Sequence, residues 1–354
     1  MTRSPNPGDG LAPANAALQQ RPAPRPLPLF LELVRLKARD DPQLARAALD
    51  GLAIYATAKR SEASPPRPIA AQIGGAALRD FGGSGAPIVL VPSLINPPNI
   101  LDLDEDASLA ASLAESGRHI LLLDWGPAAD RDLSISDHVE QLLVPLLGAL
   151  GETVALVGYC LGGTMAIAAA NRAKVERVAT LAAPWRFVAY PDSSRAALAD
   201  LWNGAHAAAD GFGRLPMEVL QAAFWALDPE RTVAKFARFA KLDPDSSEAR
   251  RFVTLEDWAN EGEPLPLPAA RELIEDMFGA DLPGSGRWMV GGRAMSDKLD
   301  VPSLHFTAAD DRIAPAATVP AGPSQAVPSG HVGMIVGRKA SETLHTPLAR
   351  WLCD

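Results

Sequence analysis

Between residues 154 and 170 an apolar run, Val154-Ala155-Leu156-Val157, passes through Gly158-Tyr159-Cys160-Leu161-Gly162-Gly163 into an alanine-rich stretch. This segment constrains the fold more than any other. A short apolar run reads as a buried strand, the alanines read as a helix, and only Gly-x-Cys-x-Gly-Gly separates them. So tight a turn needs small residues at 158 and 162, where side chains would collide with neighbouring strands. It also leaves the central residue in a strained conformation with its side chain exposed at the turn. That is the nucleophile-elbow pattern with Cys in the usual Ser position. Cys160 then sits at a helix N-terminus, where unpaired N–H groups favour a thiolate. The Leu161 N–H becomes one oxyanion donor.

The surrounding chain fits such a turn. Runs at 88–91, 120–123, Val175–Leu181 and 301–307 are short, continuous and apolar. Helical spacing lies between some of them, as at Ile135, Val139, Leu142, Leu143, Leu146 and Leu150. Strands buried on both faces and alternating with helices predict an α/β protein with a mostly parallel sheet, the α/β-hydrolase fold. From 185 to 299 the alternation stops and helical segments such as 195–201, Met217–Leu227 and 268–278 predict a helical cap insertion, with a second packed subdomain equally compatible. Residues 1–28, with prolines at 5, 7, 13, 22, 24, 26 and 28, read as a flexible Pro/Ala-rich leader. Residues 29–85 read as an N-terminal helical segment, with Asp41-Pro42 starting a helix that carries Leu44, Ala48, Leu52 and Tyr55 on one face. The core is then 86–184 and 300–354.

In this fold the nucleophile is followed along the chain by an acid and then a histidine. After the last apolar run, Asp310 and Asp311 both offer a carboxylate in a strand-end loop, and spacing does not separate them. Ser329-Gly330-His331-Val332-Gly333 supplies a Gly-flanked histidine, read as the general base. A second oxyanion donor is expected from the loop after Val91, at Leu94 by position. His119, His138, His206, His305 and His345 have no metal-ligand spacing, so neither a metal site nor a cofactor is expected. Asp124, at the end of an earlier strand, is a weaker candidate for the acid because Asp-Trp there more often marks a loop anchor, and Cys353 reads as a bystander.

Composition narrows the class. Of 354 residues 47% are hydrophobic and 21% charged, which suits a packed globular core. Lys+Arg 33 against Asp+Glu 42 leaves a net charge of −9, which argues against nucleic acid as partner. No apolar stretch suits a transmembrane segment, and two cysteines suit a reducing cytoplasm.

With these motifs assembled, the chain resembles the short polyhydroxyalkanoate synthases from about residue 86 to 352. The resemblance rests on 91–96 with 100–103, on Gly158–Gly163, on 252–258 (Phe-Val-Thr-Leu-Glu-Asp-Trp), on 311–315 (Asp-Arg-Ile-Ala-Pro) and on 329–333. Arg312 stands where many members have His. The resemblance implies Cys160 as acyl-accepting thiol, His331 as base and, through Asp-x-Ile-x-Pro, Asp311 as the third member. It also implies a 3-hydroxyacyl-CoA thioester as substrate, a polyester as product, and a second synthase subunit or a homo-oligomer at the polyester granule surface. A Cys-based thioesterase, esterase or depolymerase would share every one of these residues. A silent granule-associated or binding protein on the same scaffold is the third possibility.

Overall fold

A computed structural model describes residues 22–60 and 65–354. Most of the expected leader, 1–21, lies outside the described residues. Within its remainder Arg25 hydrogen-bonds Asn260 and Glu218, and helix α1 (Leu27–Lys37) has already begun. Helix α2 (Pro42–Thr57) starts where Asp41 accepts from the Leu44 N–H at 2.9 Å.

The sheet has eight strands: β1 (Ile69–Ile73), β2 (Ala76–Asp80), β3 (Pro87–Val91), β4 (His119–Asp124), β5 (Val154–Tyr159), β6 (Val175–Leu181), β7 (Ser303–Ala308) and β8 (Ser324–Val327). Their order is β1-β2-β4-β3-β5-β6-β7-β8. β2 runs antiparallel to both its neighbours, β1 and β4, and the remaining pairings are parallel. Residues 69–80 therefore correct the expectation of a purely helical 29–85. Gly74-Gly75 turns the chain between β1 and β2, pairing Ile73 with Ala76.

Along the central strands alternate side chains enter different cores. Val89, Val91, Leu121, Leu123 and Leu156 belong to one cluster. Ile88, Leu90, Ile120, Leu122 and Val157 belong to the other. Continuous apolar runs are thus the pattern of a sheet covered on both faces. The Ala-rich helix α3 (Leu161–Ala170) is buried almost throughout, which explains why it is apolar all round.

Between β6 and β7 lie α4 (Asp192–Phe212), α5 (Met217–Leu227), α6 (Pro229–Phe239) and α7 (Ser247–Asn260). A third core joins these to the N-terminal helices: Phe30, Val34, Ala48 and Tyr55 pack with Trp225, Val233 and Phe236. Tyr55 also donates to Asp257 at 2.6 Å. The N-terminal helices buttress the cap.

Candidate active site

Parallel register places the catalytic-side strand ends together. Val91 lies beside Gly158, Tyr159 beside Leu181, and Leu181 beside Phe306. The loops that follow β3, β5 and β7 therefore emerge on one edge, where α/β sheets hold ligands. Cys160 has φ 55 and ψ −132, a conformation a side chain rarely adopts. Its N–H bonds Leu181 O and its carbonyl accepts from Gly163, both at 2.9 Å. A Cβ at 158 would overlap the Gly163 backbone, and one at 162 the carbonyls of Val91 and Pro92. Both glycines are required by close approach.

Asp311 and His331 are each 8% exposed, whereas Asp310 is exposed. His331 Nδ1–H donates to Asp311 Oδ2 at 2.6 Å. The other Asp311 oxygen accepts from the N–H groups of Ile313 and Ala314 at 2.7 and 2.9 Å. The geometry thus separates the two acids: only Asp311 turns inward. Tyr159 lies against the imidazole, ring centroids 5.1 Å apart, and Tyr190 holds the acid loop by donating to Ile313 O at 2.8 Å. Burial, then the charges of Cys160 and Asp311, push both phenols well above their ordinary range, so they remain neutral donors. For His331 burial favours the neutral ring, but Cys160 and Asp311 outweigh it and raise the imidazole from 6.5 to about 10.

Cys160 and His331 border one cavity of about 170 Å³. Pro92, Ser93, Ile95, Asn96 and Pro97 form its wall from the loop after β3. Leu94 does not border the cavity, and its side chain packs into the core. Leu161 opens α3, so its N–H has no intrahelical acceptor, while its side chain is also in the core. The cap closes the opposite side with Gln221, Phe224, Trp225, Lys235 and Trp258. Trp258 Nε1–H donates to Pro97 O at 3.0 Å, tying cap to loop. Sequence reasoning placed Trp258 in a cap motif but missed Gln221 and Lys235. The signal for Gln221 was present: it is an amide inside the otherwise apolar stretch Leu220 to Leu227. Arg312 reaches the cap, pairing with Asp228 at 3.3 Å.

The remaining candidates lie elsewhere. His119 contacts Asp80, His305 contacts Thr180 and Ala321, His345 contacts Ile335, and His138 lies between Arg131 and Ser134. His206 is exposed, as is Cys353. Asp124 pairs with Arg79. Among the described residues no cluster of His, Cys, Asp or Glu could hold a metal ion. A wider cleft of about 890 Å³ shares Trp258 with the cavity, and on its walls Arg60 pairs with Asp257 and Arg251 with Asp104.

The strand order, the elbow and the chain order of Cys160, Asp311 and His331 define an α/β-hydrolase fold. Within that class the chain is similar to poly(3-hydroxyalkanoate) polymerase subunits PhaC. It is 27% identical to the one from Haloferax mediterranei over 76% of this chain and 58% of that protein. It is 26% identical to that of Haloarcula marismortui over 80% of this chain and 64% of the relative, so it spans less than two thirds of both. For Allochromatium vinosum the values are 27%, 75% and 80%. No protein-family model matches the chain. Among solved structures it is similar to an esterase from Exiguobacterium antarcticum, with TM-score 0.49 and 14% identity over 79% of this chain and 96% of the esterase.

Proposed function

We propose that this chain is an acyltransferase of the polyhydroxyalkanoate polymerase type, acting through a thioester on Cys160. The observation that carries the reading is the thiol at the elbow sharing one small cavity with a buried His331–Asp311 pair. The similarity to polymerase subunits supports the substrate class, a 3-hydroxyacyl-CoA.

In the first step the Cys160 thiolate adds to the thioester carbonyl. The bond from that carbon to the CoA sulfur breaks, and CoA leaves with the proton held by His331. Entering and leaving groups are both thiolates, so neither direction is strongly uphill. In the second step His331 takes the proton of an incoming hydroxyl, whose oxygen attacks the acyl-Cys160 carbonyl. An ester forms and the thiolate is regenerated. Asp311 holds the imidazole in the tautomer with its proton on Nδ1, leaving Nε2 for both transfers. Leu161 N–H and a donor from the loop at Leu94 would stabilise the oxyanion. The cycle needs no cofactor besides the CoA thioester. Esterification rather than hydrolysis requires water to be excluded, a role suited to the cap around Gln221 and Trp258. The relatives are named as subunits, which favours action with a second subunit or a second copy at a polyester surface.

Incubation with 3-hydroxybutyryl-CoA tests this reading. Free CoA together with insoluble polymer is expected, and Cys160→Ala should abolish both. CoA with only monomeric hydroxy acid would assign the chain to hydrolysis. Full turnover by the alanine variant would remove Cys160 from the chemistry.

A further inference from the structure

The cap presents two polar groups to the cavity that the acyl-transfer steps do not use. Gln221, on α5, is 7% exposed and borders the cavity, and its amide is open to that space rather than sealed in the protein. An amide facing a largely apolar cavity is placed to be satisfied by whatever group occupies it. Lys235, on α6, also borders the cavity. Its Nζ donates to both carboxylate oxygens of Glu256 on α7, at 2.7 and 2.8 Å, which leaves one of three N–H donors uncommitted. Ile95, Ile100, Phe224 and Val332 supply apolar surface around them. A mostly apolar cavity with few placed polar groups is how a small-molecule site fixes orientation.

The chemistry of these groups selects their ligand. Glu256 already balances the Lys235 charge, so the wall has little attraction for an acid. A primary amide both donates and accepts, and a carbonyl oxygen could satisfy only its N–H groups. A hydroxyl satisfies both ends, donating to Gln221 Oε1 while accepting from an N–H of Lys235 or of the amide. The cavity, about 170 Å³, is also below the roughly 300–1,000 Å³ of sites for drug-sized ligands, which suits a short acyl group.

We propose that Gln221, assisted by Lys235, is the specificity-determining residue of this site, selecting acyl groups that carry a hydroxyl over their deoxy counterparts. The inference rests on the acyl-transfer reading of Cys160. A site built to bond a hydroxyl discriminates against the analogue lacking it, because its own polar groups are then left unpaired.

The test compares first-turnover CoA release from 3-hydroxybutyryl-CoA and butyryl-CoA, read as the ratio of acylation rate constants at subsaturating thioester, in the unaltered chain and in Gln221→Met, since a butyryl group has no hydroxyl for the second step. Methionine keeps length and volume while removing both hydrogen-bonding ends, and an unfolding midpoint checks that the variant folds. If it does not fold, the same ratio is read in Gln221→Glu, which keeps the acceptor and loses the donor. The unaltered chain should favour the hydroxylated thioester by about tenfold or more, and the ratio should fall by about tenfold in the variant. A ratio near one in the unaltered chain, or a ratio unchanged while both rates fall together, would overturn the assignment to Gln221. Release of CoA from neither thioester would instead sink the acyl-transfer reading, and this inference with it.

Discussion

At Cys160 the backbone occupies a region that costs on the order of 1–3 kcal/mol for a residue with a side chain. Hydrogen bonds to Leu181 and from Gly163, and close backbone packing at Gly158 and Gly162, hold it there. The return for that strain is placement of a thiol beside a buried imidazole. Asp311 acts on the same imidazole by position and by charge. Replacing it with asparagine keeps the shape but removes one cause of the raised imidazole. In Asp311→Asn, the His331 ring resonances followed by NMR should titrate well below about 10, and acylation should slow by roughly 10²–10⁴-fold. An unmoved titration would mean that Asp311 is a structural neighbour only.

At the scale of elements, specific contacts fasten the cap over the site and to the N-terminal helices. Trp258 on α7 bonds the Pro97 carbonyl, Arg312 reaches back to Asp228, and α2 packs so closely on α6 that a Cβ at Gly51 would overlap the Phe236 backbone. If the cap excludes water, loosening one fastening should divert the acyl-enzyme towards hydrolysis. Trp258→Phe keeps an aromatic ring and deletes a single hydrogen bond worth about 1 kcal/mol. The measured fraction of acyl groups released as free hydroxy acid should rise in this variant. An unchanged partition between polymer and acid would show that this contact does not govern water access.

Across the whole molecule, buried histidines pull stability in opposite directions with pH: burial lowers His138, His305 and His345, whereas His331 is raised. His138 accepts from Arg131 and donates to Ser134 O, and burial lowers it from 6.5 to about 4. Between those values the unfolded chain binds a proton that the folded chain refuses. Its contribution is therefore complete above about pH 6.5 and is lost as pH falls towards 4, a change of about 3 kcal/mol. His331 is raised, so its contribution is complete below about 6.5 and is lost as pH rises through about 10. Urea midpoints measured across pH 4–10 should peak near 6.5, and His138→Gln should lessen the acid-side slope, which His305 and His345 share, without changing the alkaline side. A midpoint still rising between pH 7 and 9 would contradict this assignment of His331.

Much of this arrangement was legible along the chain because it depends on local constraints. Strand runs such as 154–157 declare burial on both faces, the glycines around Cys160 declare a tight turn, and the order of Cys160, Asp311 and His331 follows the fold's connectivity. Even the hairpin at 69–80 left a signal in Gly74-Gly75, overlooked because the neighbouring helices dominate that segment. The choice between Asp310 and Asp311 was different in kind: spacing does not separate adjacent carboxylates, the Asp-x-Ile-x-Pro resemblance selects Asp311, and the direction of the loop turns that one towards His331. Gln221, Lys235 and the loop at Leu94 meet Cys160 through packing between segments distant in the chain. Local sequence determined the strands, the elbow and the reactive groups, since each follows from short-range sterics and burial. Tertiary structure alone decided which side chains form the wall facing the thiol, because those are distances between residues that no local pattern relates.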